Sequence, residues 1–272
     1  MIEDFNYATN GTMSSGPDNG GSGWSAAWGG GAGVTGTMYT SNSANLSYSG
    51  GGYNITQTGT GYAYGTYNAY RGINRTFSAL TGTIWFSVLL QDNASVDHAG
   101  IEFNNPRTSG LDYNASPYQI DLYGSSLDVY DGSTTTSTVA ATGLAVGQTH
   151  LIVGSITIGS GADTLNVWAD PSDLSNLGTP LYTNSSVDMG NSLSSAGIFS
   201  YVDSGTTDSQ IDALMLSDGG GNSNTAFTAV TGVTPSSAPE PGRGVLLMVF
   251  LLGFVMRRRR RHLELYAPQN ER

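Results

Sequence analysis

The sequence contains no cysteine and no lysine, and only 11% of its 272 residues are charged. Without cysteine the chain can form no disulfide, use no thiolate nucleophile and bind no metal through sulfur. The shortage of Lys, Glu and Arg argues against a mainly helical protein, and 10% aromatic residues are too many for simple disorder. Because 38 residues are glycine, we expect an all-β protein rich in turns.

Basic residues are scarce in the body of the chain and concentrated at its end. Residues 1–235 carry 18 acidic side chains against 3 arginines, whereas residues 236–272 carry 7 arginines against 3 acids. An acidic body repels nucleic acid and anionic membranes, so we expect no nucleic-acid partner. The basic end indicates a separate role for the C-terminal segment.

The C-terminal segment has three features in order. Pro239, Glu240 and Pro241 come first, and a proline pair breaks regular structure just before a helix can begin. An uncharged apolar run follows, made of Gly244, Val245, Leu246, Leu247, Met248, Val249, Phe250, Leu251, Leu252, Gly253, Phe254, Val255 and Met256. Five arginines end the segment: Arg257, Arg258, Arg259, Arg260 and Arg261. Because arginines resist translocation and attract anionic lipids, we predict a membrane helix with its basic end on the cytoplasmic side.

The apolar run is short for a membrane span, since roughly 20 residues usually cross a bilayer. A buried core helix and a disordered basic tail are therefore the alternatives. A core helix would not normally abut five arginines, however, and arginine side chains can reach from a short helix to the lipid boundary. We adopt the membrane helix as the interpretation.

The proline motif, the apolar helix and the arginine cluster together closely resemble the PEP-CTERM sorting signal of Gram-negative bacteria. Proteins of that family are exported, processed by an exosortase and delivered to the cell surface or the extracellular polymer matrix. The resemblance therefore implies exosortase and inner-membrane lipids as partners, with the C-terminal helix anchored in the inner membrane before sorting. Two features depart from the signal: Arg243 heads the helix, where small or hydroxyl residues are more usual, and residues 262–272 follow the arginines.

An exported protein needs a leader segment, and the first residues lack one. The stretch Ile2-Glu3-Asp4-Phe5-Asn6 is neither basic nor continuously apolar, and it already resembles mature protein. We therefore expect a hydrophobic signal segment to be encoded upstream of it.

Short apolar segments separated by turn residues fill the body of the chain. Strands are predicted over residues 37–40, 45–48, 62–70, 70–80, 83–90, 99–103, 119–123, 127–130, 150–158, 164–169, 196–201 and 210–216. The segments 119–123 and 127–130 have the spacing of a hairpin, and no amphipathic helix is predicted. The predicted organisation is a β-sandwich domain over 1–218, a Gly/Ser/Asn-rich linker over 219–238, the sorting signal over 239–261 and a short tail over 262–272.

Several short patterns resemble the concanavalin-A-like jelly-roll domains common in PEP-CTERM proteins. They are Asp4-Phe5 with Gly23-Trp24, the strand Trp85-Phe86-Ser87, the hairpin from His150 to Asp170-Pro171, and Gln210-Ile-Asp212-Ala. The resemblance spans roughly residues 1–233 and implies a two-sheet antiparallel jelly-roll sandwich. Within it, we expect Trp24 and Trp28 to pack against the core rather than to form an exposed sugar platform.

Candidate catalytic carboxylates are few. Retaining glycosidases need two carboxyl groups about 5 Å apart, and the Glu-x-Asp-x-Glu strand of laminarinase-like jelly rolls is absent here. Glu3 and Glu102 are distant in sequence. Asp121 and Asp128 flank the predicted hairpin, where a solvated strand edge is the simpler interpretation. We therefore predict no enzyme, with a glycan hydrolase that uses aspartates as the alternative.

The body also offers little for a metal or a base. His98 and Glu102 would share one face of a strand, but about 13 Å apart, which is too far for one ion beside Asp97. His150 is predicted to lie at a solvent-exposed strand edge. The loop Asp203 to Asp208 has oxygen ligands that suit Ca²⁺, although a plain turn is the simpler interpretation. We expect no cofactor and no metal.

The sequence thus predicts an exported, non-enzymatic protein of the cell surface or extracellular matrix. Its tyrosines and asparagines supply groups for weak sugar contacts on a sheet, which makes extracellular polysaccharide a candidate partner, while the sequence identifies no particular ligand. A periplasmic protein held in the inner membrane by an unprocessed helix is a further alternative.

Overall fold

The protein is described by a computed structural model that divides the chain into two units, Met1–Pro235 and Ser236–Arg272. The structure describes residues 1–7, 11–13, 20–29, 38–57, 59–65, 71–104, 118–131, 138–202 and 209–236. All of these residues except Ser236 belong to the first unit. In those residues no helix is long and apolar enough to cross a membrane, and the predicted helix over 244–256 lies outside them.

Two antiparallel sheets make up the first unit. Its strands are β1 (Ile2–Glu3), β2 (Gly11–Thr12), β3 (Tyr39–Ser41), β4 (Tyr62–Tyr64), β5 (Arg71–Leu80), β6 (Thr83–Gln91), β7 (His98–Phe103), β8 (Tyr118–Tyr123), β9 (Ser126–Asp131), β10 (Thr138–Thr142), β11 (Thr149–Thr157), β12 (Asp163–Ala169), β13 (Tyr182–Val187), β14 (Leu193–Tyr201) and β15 (Gln210–Ser217). A 3-10 turn, Gly50–Gly52, and a helix, α1 (Ser223–Thr231), complete it.

The strand order shows how the chain alternates between the sheets. The nine-stranded sheet runs β13-β12-β11-β6-β15-β4-β3-β2, with β1 also paired to β15, and the six-stranded sheet runs β10-β9-β8-β7-β14-β5. Consecutive strands such as β6 and β7, or β14 and β15, therefore lie in different layers. The two-sheet antiparallel jelly-roll sandwich expected from the sequence is confirmed.

The main core lies between the two sheets and follows from strand alternation. Ile84, Phe86 and Val88 on β6 face it from one sheet, and Ala99, Ile101 and Phe103 on β7 face it from the other; all are at most 1% exposed. Burying one large apolar side chain contributes about 1.5–3 kcal/mol, so this layer dominates the stability of the sandwich. The polar residues between them on β7 necessarily point the opposite way.

Helix α1 overturns two expectations, the linker over 219–238 and the absence of any helix. Asn222 caps it by accepting a hydrogen bond from the Thr225 amide, and Gly232 ends it with a φ of 72°. Phe227 is buried with Leu89, Leu151 and other residues on the side of the nine-stranded sheet that faces away from the main core. Leu46 belongs to the same cluster, although residues 45–48 do not form the predicted strand. The linker prediction was wrong because a Ser/Asn/Thr-rich composition hid the few apolar residues that dock the helix.

A buried ion pair fixes the N-terminal strand. Arg75 donates to Glu3 at 2.7 Å, and Tyr7 and Trp28 donate to the same carboxylate at 3.0 and 3.2 Å. The Arg75 guanidinium lies 5.0 Å from the Trp24 ring and 5.4 Å from the Trp28 ring. Burial raises the pKa of Glu3, and the Arg75 charge opposes that shift. The packing role predicted for Trp24 and Trp28 is confirmed.

Candidate functional site

The six-stranded sheet has a polar side turned away from the main core, which we call the outer face. Antiparallel register arranges its side chains in three rows. The aromatic row contains Tyr123, His98 and Tyr201; the acid row contains Asp128, Asp121, Gly100 and Phe199; the amide row contains Tyr130, Gln119, Glu102 and Gly197. Polar and apolar residues alternate along β7 and β8, so each strand sends one set to the core and the other to the outer face.

Two glycines let large side chains lie flat across the outer face. A Cβ on Gly100 would come within 2.2 Å of the Phe199 ring, and one on Gly197 would come within 2.5 Å of the Glu102 carboxylate. The Phe199 ring therefore lies over β7, and the Glu102 side chain lies over β14. Any larger residue at either glycine would displace them.

A histidine and an aspartate join the aromatic row to the acid row. His98 Nδ1 lies 2.6 Å from Asp121 Oδ2. Burial alone would lower the pKa of His98, but the hydrogen bond and the charge of Asp121 outweigh it and raise that pKa. Burial also raises the pKa of Asp121, and the hydrogen bond to His98 opposes that shift.

The three rows run from partly exposed to buried. Tyr123 is 39% exposed, and the His98 ring stacks on it at a centroid distance of 4.2 Å with 14° between the planes. Tyr201 meets the same imidazole edge-on at 5.6 Å. Asp121 and Gln119, by contrast, are each 1% exposed. The exposed part of the outer face is therefore aromatic, and the polar side chains of Asp121 and Gln119 are buried beside it.

Several buried polar atoms on the outer face have no hydrogen-bond partner in the described part of the chain. They are both amide atoms of Gln119 and Oδ1 of Asp121. A buried polar atom left without a partner costs about 1–3 kcal/mol, so native proteins rarely tolerate one without a compensating role. These atoms mark the outer face as a candidate binding site.

Asp92, in the connection between β6 and β7, supports the exposed end of this site. Its carboxylate accepts from the Gly124 amide at 2.6 Å and from the Ser209 hydroxyl at 3.2 Å. Burial raises its pKa to about 7. Asp92 thus ties the β8–β9 turn, which carries Tyr123, to the segment leading into β15.

The structure settles where the predicted carboxylates lie. Asp121 and Asp128 are directly opposite each other, as the hairpin predicted, but both are buried, so the solvated strand edge was wrong. Glu3 and Glu102 lie in different sheets and do not meet. The hairpin itself has a two-residue turn, Gly124-Ser125, instead of the three residues expected.

Of the two body histidines, His98 lies as expected and His150 does not. His98 and Glu102 share the outer face but lie in the first and third rows, as their spacing predicted. His150 is 5% exposed and bonds to Asp170 at 2.6 Å and to the Ala145 carbonyl at 3.0 Å, so the solvent-edge prediction was wrong. The Asp170 carboxylate, which also accepts from the Leu151 amide, supplies the partner that allows this burial.

Sequence reasoning missed the His98–Asp121 pair and the position of Gln119. The alternation His-x-Gly-x-Glu and Gln-x-Asp-x-Tyr was visible and indicates one polar face on each strand. The register between β7 and β8 could not be predicted, because residues 104–117 separate the two strands.

The remaining candidates lie outside the described residues. These are Pro239, Glu240 and Pro241, the helix 244–256, the arginines 257–261 and the loop Asp203 to Asp208. Within the described ranges, no group of three or more His, Asp or Glu side chains is placed to hold a metal ion.

No protein-family model and no curated protein matches the sequence. Among solved structures, the carbohydrate binding module CBM66 from Bacillus subtilis is 11% identical, with 61% of this chain and 91% of that chain covered and a TM-score of 0.37. Lectin II from Ulex europaeus is 8% identical, covering 66% of this chain and 97% of that chain at a TM-score of 0.38. An endo-1,3-beta-glucanase from Streptomyces sioyaensis is 12% identical, covering 79% and 94% at a TM-score of 0.40. Likenesses this distant assign no activity to the chain.

Proposed function

We propose that this chain is an exported, non-enzymatic protein of the cell surface or extracellular matrix that binds glycan on the outer face. The aromatic row carries the proposal, because a partly exposed tyrosine backed by a stacked imidazole lies beside buried polar groups. Sugar-binding sites combine these features: a ring to stack against C–H groups and fixed polar atoms to orient hydroxyls. The acidic body is consistent with a partner other than nucleic acid.

Export and sorting rest on the C-terminal segment. The proline motif, the apolar run and the five arginines resemble a PEP-CTERM signal in order and in position. Exosortase would remove the helix and its arginines, leaving the sandwich in the extracellular matrix. An unprocessed inner-membrane anchor uses the same helix and is the alternative.

Intact mass spectrometry distinguishes a chain that exosortase has processed from one that keeps its membrane helix. The full chain is expressed behind an added secretion leader in a host that contains an exosortase. A released form ending near Pro241 is expected, whereas a full-length form confined to the inner membrane would contradict the sorting proposal.

A glycan hydrolase is the second candidate, and one observation favours it. Asp121 and Asp128 face each other across β8 and β9, and directly opposite residues have Cβ atoms about 5 Å apart, near the separation of a retaining pair. Both are buried, however, and one oxygen of Asp121 already bonds to His98. A nucleophilic carboxylate must reach the anomeric carbon, so we favour binding without hydrolysis.

Binding of the full-length chain to a glycan microarray tests the proposed site. The Tyr123→Ala variant should lose most of the signal, about tenfold in affinity, because it removes the exposed ring. Tyr39→Ala, a half-buried tyrosine of the nine-stranded sheet that stacks on Tyr64, is the matched control and should bind normally. Equal binding by both variants would place the site elsewhere, and release of reducing sugar by the wild type would favour the hydrolase.

A further inference from the structure

A cavity of about 470 Å³, which we call the β1 cavity, lies between strand β1, the loop at residues 21–22 and helix α1. Met215 of β15 lines it, and because its neighbours Leu214 and Leu216 belong to the main core, Met215 points away from that core. Ile2, the register partner of Met215, also lines the cavity. The β1 cavity is therefore on the nine-stranded sheet, separate from the outer face, and has the size of a small-molecule site, roughly 300–1,000 Å³.

Backbone hydrogen bonds fix the walls of the β1 cavity. Ser22 exchanges two of them with Ile2, at 2.8 and 3.0 Å, so the loop is held against β1. Residues 54–56 form a further wall, and the Asn54 amide donates to the Thr231 carbonyl at 3.1 Å at the end of α1. The walls are thus preformed, so a ligand would not lose affinity by having to order them.

Part of the lining is aliphatic and reachable from solvent. Ile2, Ile55, Met215 and Ala229 contribute to it, and Ile2 is 42% exposed. Covering such a surface contributes about 25 cal/mol for each Å² of apolar area removed from water. The β1 cavity therefore favours a ligand with an aliphatic body.

The polar part of the lining is acidic. Among the described residues that line the cavity, Asp4 is the sole charged one, and it is 9% exposed. The remaining polar residues of the lining are neutral: Asn6, Ser22, Asn54 and Thr56. Residues 1–235 as a whole carry 18 acids against 3 arginines. Charge of one sign around a cavity attracts counter-ions and repels like charge, so this lining favours a cation over an anion.

We infer that the β1 cavity binds a small organic cation, a primary ammonium on an aliphatic body. The ammonium donates to the Asp4 carboxylate, and the aliphatic body packs on Ile2 and Met215. A hydrogen bond between two charged groups is roughly twice as strong as one between neutral groups, so the ammonium supplies the selectivity. This site lies on the other sheet from the proposed glycan site and does not depend on it.

Isothermal titration of the full-length chain in nonionic detergent tests the ligand class. The probes are hexylamine, hexanol and sodium hexanoate, which share one aliphatic body and differ in charge, and a blank titration into detergent alone is subtracted from each. At neutral pH hexylamine should bind about tenfold more tightly than hexanol, and hexanoate more weakly than hexanol. Equal affinity for hexylamine and hexanol, tighter binding of hexanoate, or no saturable binding of hexylamine would overturn the inference.

The Asp4→Asn variant tests the charged contact. It keeps the shape of the side chain and removes its charge, so the affinity for hexylamine should fall about tenfold while the affinity for hexanol is unchanged. Asp173→Asn, at a fully exposed carboxylate, changes the net charge equally and should bind both probes as the wild type does. An equal loss of hexylamine affinity in the two variants, or no loss in Asp4→Asn, would overturn the inference.

The Ala229→Leu variant tests the cavity without altering Asp4, and it serves even if Asp4→Asn does not fold. Ala229 is an exposed residue of α1 that lines the cavity, and leucine fills that space while keeping a high helix propensity. The affinities for hexylamine and for hexanol should both fall about tenfold. Asn224→Leu, at another exposed position of α1, is the matched control and should bind normally. Unchanged binding by Ala229→Leu would overturn the inference.

Discussion

At the residue scale, single polar groups tie distant parts of the chain together. Glu3 receives hydrogen bonds from the Phe5 amide, Tyr7, Trp28 and Arg75, residues up to 72 positions away. Composition revealed only that residues 1–235 hold 18 acids and 3 arginines. The pairing of Glu3 with Arg75 could not be derived from it, because two charges 72 residues apart meet only through the tertiary fold.

Breaking the buried pair should be costly. Glu3→Gln leaves the Arg75 charge buried without its counter-charge, so we expect a loss of about 3–5 kcal/mol in the free energy of unfolding. Urea denaturation measures it. The double variant Glu3→Gln/Arg75→Met should lose less than the two single variants summed; an additive result would show that the two side chains do not interact.

Asp92 should make stability fall as the pH rises. Burial raises its folded pKa to about 7, above the unfolded value of about 4. The folded state therefore binds more protons in that interval, so the contribution of Asp92 to stability is full below about pH 4 and is lost as the pH rises through about 7.

Thermal melts between pH 5 and pH 8 check this prediction. The melting temperature of the wild type should decrease as the pH rises across this range. The melting temperature of Asp92→Asn should decrease less steeply with pH. Asp173→Asn, at a fully exposed carboxylate, is the control and should keep the wild-type slope. An unchanged slope in Asp92→Asn would contradict the assigned role.

At the element scale, strands were predictable where alternation was strong. β6, β11, β12 and β15 were found within one or two residues, because their apolar periodicity is set by burial between two sheets. Helix α1 was not found, since its nine residues Ser-Asn-Thr-Ala-Phe-Thr-Ala-Val-Thr read as a polar linker. Its stability depends on docking through Phe227 and on its caps, neither of which is a periodic signal.

The N-cap of α1 should make a measurable contribution. Asn222→Ala removes the hydrogen bond to the Thr225 amide at 3.0 Å, and we expect a loss of about 1 kcal/mol in the free energy of unfolding. Asn224→Ala, an exposed asparagine inside the same helix, should be neutral or slightly stabilising. If chemical denaturation shows that Asn222→Ala and Asn224→Ala change the free energy of unfolding equally, the Asn222 cap does not stabilise the helix.

At the scale of the whole molecule, the body and the C-terminal segment differ in composition and in the functions proposed for them. The sandwich supplies a sheet whose outer face carries aromatic, acidic and amide groups, and the C-terminal segment carries the proline motif, the apolar run and the five arginines on which the sorting proposal rests. Sequence predicted the fold class and the Asp121–Asp128 hairpin. It did not predict the outer face as a candidate site, because that face is created by the register of β7, β8 and β14 across connections that carry no register signal.

The most direct test compares where wild type and Tyr123→Ala accumulate when each is expressed behind an added secretion leader in an exosortase-bearing host. The extracellular polysaccharide, the medium and the inner membrane are separated, and the chain is measured in each by intact mass. We predict processed wild type in the polysaccharide fraction and processed Tyr123→Ala released into the medium. Equal retention of both variants in the polysaccharide, or full-length wild type in the inner membrane, would contradict the account.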